Sequence, residues 1–159
     1  MVQHEAPQQR VAVRGSDPTG QGEPPSGGVR DVVVLRLPAL GAYLSVLRTA
    51  TASLASRLDF TIDDIEDLRI AVDEACAMLL IQAVPGADLE CTFELTSAAI
   101  RVDVSVLTLD GLEPSRDTFA WTVLTALAGE VGSSLDADNR VTLSMYKRAS
   151  DLSGTGAGS

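Results

Sequence analysis

The chain has 159 residues, 45% of them hydrophobic and 21% charged, which is enough for one folded domain and too apolar for a disordered polypeptide. Its 12 Lys and Arg against 22 Asp and Glu leave a net charge of −10. That balance disfavours nucleic acid as a ligand, which calls for a basic surface, and suits a partner that is itself basic.

No apolar run approaches the roughly 18–20 residues of a membrane span, and the N-terminus lacks the apolar region of a secretory signal. The expected compartment is therefore the cytoplasm. The single histidine, His4, falls in residues 1–29, a Gly/Pro/Gln-rich stretch read as a disordered tail because it cannot bury enough apolar surface to offset ordering. His-based triads and His metal sites are thereby excluded from the folded part, residues 30–149. No metal site is expected, and the available chemistry is that of carboxylates, hydroxyls, Arg and backbone amides.

The β-branched run Asp31–Leu37 reads as a first strand, closed by Pro38. Leu40, Tyr43, Leu44, Leu47, Thr51, Leu54 and Leu58 recur at helical spacing, so Ala39–Leu58 reads as an amphipathic helix with Arg48 at its middle. The next stretch, Thr61–Ala83, reads as one long helix. Thr61 is its N-cap, Asp63 and Asp64 suit its positive end, and Pro85-Gly86 stops it. Asp63, Asp64, Glu66 and Asp67 read as a solvated helix start.

Ile65, Leu68, Val72, Ala75, Cys76 and Leu79 form a core-facing stripe on this helix. Ile70, Ala77, Met78 and Ile81 form a second stripe around Glu74. A carboxylate set among apolar residues is costly if buried without a partner. Glu74 is therefore a candidate catalytic base, a partner-facing carboxylate, or an ordinary solvated glutamate.

Two alternating stretches follow, Leu89–Leu95 and Ile100–Val106, joined by Thr96-Ser97-Ala98 as an antiparallel hairpin with one wet face. Thr108–Arg116 is a loop. Asp117 is expected to cap a helix over Thr118–Ala128 that buries Phe119, Val123, Leu124 and Leu127, with Trp121 as core. Val131–Leu135 and Arg140–Tyr146 make a last hairpin, and residues 150–159 a flexible Gly/Ser tail. Cys76 and Cys91 read as small buried hydrophobes. Strand, helix, helix, strand, strand, helix, strand, strand fits a two-layer α/β sandwich: a mixed, mostly antiparallel sheet with helices on one face.

The segments DLRIAVDEACAMLL and FAWTVLTALAGEV, with this element order, resemble the RsbW-type anti-sigma factors. These are serine-kinase-related members of the GHKL (Bergerat) ATPase fold, and the match is to their actinobacterial branch. The likeness runs from about Leu35 to Lys147. It implies an anti-sigma factor that sequesters an alternative sigma factor and is counteracted by an anti-anti-sigma (STAS-domain) protein. A homodimer is implied as well, without direct nucleic-acid or membrane binding. The alternative it carries is an ATP-dependent serine protein kinase acting on the anti-anti-sigma partner, with Glu74 as base.

The family's cofactor is ATP with Mg²⁺. Its magnesium-binding Asn, four residues after the Glu, falls here on Met78, whose thioether is no ligand for a hard cation. Its Asp-x-Gly-x-Gly falls on Val106–Asp110, with Asp110-Gly111 just beyond, and its later Gly-x-Gly on Thr118 and Ala120, next to Asp117. The resemblance thus implies weak or lost ATP binding. It also implies partner contact through Arg48, and it places Asp110, Glu113 and Asp117 as an acidic rim that attracts cationic groups.

Overall fold

The computed structural model describes residues 30–150. His4, the stretch 1–29 and residues 151–159 lie outside the described residues. Strand β1 (Asp31–Pro38) leads through a 3₁₀ turn (Gly41–Tyr43) into helix α1 (Leu44–Ala55) and then α2 (Ile62–Gln82). Strands β2 (Asp88–Leu95) and β3 (Ala99–Leu107) follow, then α3 (Phe119–Ala128), β4 (Glu130–Leu135) and β5 (Arg140–Arg148).

The five strands lie in the order β1-β2-β3-β5-β4, and each described pairing is antiparallel. β5 inserts between β3 and β4, so those two run parallel to each other without pairing, linked by the crossover through α3. The helices cover one face, giving the expected two layers. Alternation dictates which residues meet them. Cys91, Phe93, Val102, Val104, Val106, Val141 and Leu143 are fully buried against Leu68, Val72, Ala75, Cys76 and Leu79 of α2. The opposite face carries ion pairs, Arg36–Glu90 between β1 and β2 at 2.7 Å and Arg101–Asp103 along β3 at 3.0 Å.

Several expectations need correction. The first helix is shorter than Ala39–Leu58, because Gly41, a poor helix former, sits in a 3₁₀ turn before α1. Leu40 and Tyr43 are accordingly exposed rather than buried. Thr118, not Asp117, caps α3: its hydroxyl accepts from the Trp121 N–H at 3.2 Å. Phe119 is 84% exposed, since a side chain at the first helical position points back past the helix start and off the packed layer. Trp121 and Leu124 are buried as expected.

Candidate functional site

The site is organised by α2, whose start is more tightly built than a solvated acidic turn. Asp64 is 7% exposed. Its carboxylate accepts from the Thr61 N–H at 3.1 Å and the Thr61 hydroxyl at 2.8 Å, while its own N–H donates to the Thr61 oxygen at 3.1 Å, a reciprocal capping box. The Ser150 hydroxyl donates to its other oxygen at 3.0 Å, and the Lys147 ammonium stands 3.8 Å from both Asp64 and Asp67. Burial pushes the Asp64 pKa up, but the Thr61 and Ser150 hydrogen bonds and the Lys147 charge outweigh it and hold the group below its ordinary value.

Lys147 also donates to the Leu127 carbonyl at 2.9 Å. The C-terminal end of α3 therefore lies beside the N-terminal end of α2, and α3, about half the length of α2, runs antiparallel along part of it. The β3–α3 loop is fastened to that same end. The Leu109 N–H donates to the Gln82 carbonyl at 3.0 Å and Ala83 bridges Thr108. The Thr108 hydroxyl donates to the Asn139 carbonyl at 2.8 Å and accepts from the Gly111 N–H at 3.2 Å. Gly111 has φ +61°, and a Cβ there would meet the Asn139 side chain at 2.5 Å, so glycine is favoured.

Glu74 and Met78 lie in the second half of α2, Asp110 and Gly111 in the loop fastened to its end, and Thr118 and Ala120 at the start of α3. Glu74 and Met78 are half-buried, on the flank of α2 that faces α3. The second stripe is less covered than expected, with Ile70 41% and Ile81 86% exposed. Two surface cavities, one lined by Arg101, Gly132, Ser144 and Tyr146 and the other by Leu58, Phe60, Ser97 and Ala149, lie elsewhere and do not include Glu74.

The donor set here does not suit a magnesium nucleotide. Met78 offers sulfur where a hard cation wants oxygen, and no group of three or more His, Cys, Asp and Glu is placed to hold a metal among the described residues. Val106, at the place of the family's adenine-reading Asp, is fully buried in the core. At the start of α3 the Trp121 N–H is taken by Thr118, and exposed Asp117 sits where a phosphate would be repelled.

Arg48 lies apart from this cluster, on the other flank of α2. Its Nε and Nη2 donate to the two oxygens of Asp73 at 2.7 and 3.0 Å, a bidentate pair that clasps α1 to α2. Asp73 carried no signal in the sequence, because its partner is 25 residues away. The exposure of Phe119, Ile81, Leu109 and Leu112 was equally hidden, since periodicity reports which residues are apolar and not which are covered.

No family model matches the chain. Among curated proteins it is 37% identical over 106 residues to the anti-sigma-F factor RsbW of Mycobacterium tuberculosis, covering 65% of this chain and 61% of that relative. It is 46% identical over 46 residues to the serine-protein kinase RsbW of Bacillus velezensis, 29% of each chain. Among solved structures it matches the crystal structure of the RsbU and RsbW domains of Rv1364c from Mycobacterium tuberculosis with a TM-score of 0.58 and 15% identity. That match covers 74% of this chain and 32% of the other, and it speaks to the fold alone. The chain spans about three-fifths of the length of the mycobacterial relative. Its fold is of the GHKL type, and its homologues are proteins named anti-sigma-F factor and serine-protein kinase RsbW.

Proposed function

We propose that this chain is an anti-sigma factor that holds an alternative sigma factor by protein–protein binding, without needing nucleotide, and is counteracted by an anti-anti-sigma protein. The observation that carries the proposal is the 37% identity over 106 residues to an anti-sigma-F factor. The chemistry around Met78, Val106 and Asp117 supports nucleotide independence, because charge-assisted bonds worth about 1.5–3 kcal/mol each are missing together. In this reading Arg48 contacts the partner and the outer face of the sheet serves a homodimer, in the cytoplasm. Titration of the alternative sigma factors of the source organism with this chain, with and without Mg·ATP, tests it. The expected result is binding of one of them with equal affinity in both conditions. Affinity that rises with nucleotide, or micromolar binding of Mg·ATP itself, would sink the nucleotide-independent reading.

A second reading keeps Glu74 as the base of a serine protein kinase, and the similarity to the Bacillus serine-protein kinase favours it. Transfer of labelled phosphate to an anti-anti-sigma protein, abolished by Glu74→Ala, is the outcome that reading requires.

A further inference from the structure

Four of the most exposed large apolar side chains among the described residues are Ile81 at 86%, Phe119 at 84%, Leu109 at 67% and Leu112 at 61%. They come from three elements: the end of α2, the β3–α3 loop and the start of α3. The Leu109–Gln82 backbone bond sets the loop against the end of α2, and α3 runs antiparallel along α2, so the three elements adjoin on one side of the helical layer. Scattered surface leucines need no explanation, but large apolar residues left exposed on adjoining elements mark an interaction surface.

Around them stand Glu74, Asp110 and Asp117, none of which is in an ion pair among the described residues. The nearby cation Arg116 is turned aside, 5.1 Å over the Trp121 ring. This surface excludes two occupants. A phosphate-bearing ligand would meet carboxylates, and a second copy related by two-fold symmetry would set like charges against each other.

We propose that this acid-rimmed apolar end docks a Lys/Arg-bearing amphipathic helix of the bound transcription factor, of the kind that otherwise lies on DNA. The proposal rests on the anti-sigma reading and adds to it the surface and the mode. The apolar side chains supply the buried centre of the contact. The carboxylates take the place of DNA phosphates for the same basic residues, so partner and DNA compete for one helix. The surface that a nucleotide would use in the resembling family is thereby given to protein.

The test uses the full chain and the purified alternative sigma factors of the source organism, with binding followed by fluorescence anisotropy. Ile81→Asp and Phe119→Asp are expected to weaken binding more than about tenfold, as truncation of central contacts does. Ile62→Asp serves as control, at the far end of α2 and 85% exposed; it should bind as wild type does. Glu74→Gln with Asp117→Asn should flatten the salt dependence, and duplex DNA should compete for the bound factor. Unchanged unfolding midpoints show that the variants fold.

Wild-type affinity in Ile81→Asp and Phe119→Asp, with loss in Arg48→Ala, overturns the proposal and leaves the anti-sigma reading standing. If wild-type chain binds no sigma factor, that reading fails and this one with it. If instead the two Asp variants abolish self-association, the surface belongs to a second copy and the proposal is likewise overturned.

Discussion

Arg48, proposed to contact the partner, is a residue at which effects on stability and on recognition can be measured separately. Its guanidinium is about two-fifths exposed and Asp73 about one-third, so the pair sits in a screened environment and contributes little to folding. Arg48→Ala is therefore expected to shift the denaturation midpoint little while lowering sigma-factor affinity more than about tenfold. Asp73→Asn should lower affinity less, because it frees the guanidinium without removing it. A denaturation curve and a binding titration on each variant check both statements. The two cysteines give a second prediction at this scale. Both are free and fully buried. Burial pushes the Cys76 thiol up to about 12, with the Asp73 charge adding and Arg48 opposing, and burial likewise raises Cys91. A thiol reagent at pH 8 should label neither in the native protein and both in denaturant; labelling of the native chain would contradict the packing.

Helix α2 shows what the sequence made legible and what it hid. Its N-cap Thr61 and the stripe Leu68, Val72, Ala75, Cys76 and Leu79 are where spacing and capping chemistry placed them. The burial of Asp64 was not legible, because it depends on Lys147 and Ser150, 83 and 86 residues downstream. The same limit applies to α3, where composition announced a helix but could not reveal that Phe119 opens onto solvent. The strands were the most readable elements, since alternation fixes which face of β2, β3 and β5 enters the core. The candidate site was legible as a departure from a family pattern, and the fastening of the β3–α3 loop to the end of α2 was not. The capping box yields a prediction with a sign. The folded-state pKa of Asp64 is depressed, so its contribution is fully present above the unfolded carboxylate value near 3.9 and is lost as pH falls through the lower folded value. Asp64→Asn should cost about 1–2 kcal/mol at neutral pH, through the cap and the carboxylate's other bonds. It should also weaken the acid-induced loss of stability below about pH 4, as urea denaturation across pH would record.

At the scale of the molecule, the sheet and three helices bury a core and leave a surface on which acids outnumber bases, net −10 over the chain. A charge of this size acts at a distance before any contact is made. Opposite fields steer a basic partner toward the surface, and the effect lives in the association rate because it operates on the encounter rather than the docked complex. Fields between exposed charges fade beyond the Debye length, about 30 Å at 0.01 M salt and about 8 Å at 0.15 M. Raising salt across that range should slow association with the sigma factor by at least about tenfold while changing dissociation far less. The acid-rimmed end of the helical layer sharpens the expectation. Asp59→Asn, in the connection between α1 and α2 at the opposite end of the helical layer, removes a distant exposed charge and should lower the association rate slightly at low salt only. Glu74→Gln, beside the apolar surface, should raise the dissociation rate as well, because a docked contact is lost with the charge. Stopped-flow association and dissociation measured at three salt concentrations distinguish the two. Equal effects of both variants on the association rate alone would make the charge a matter of steering, with Glu74 outside the docked contact.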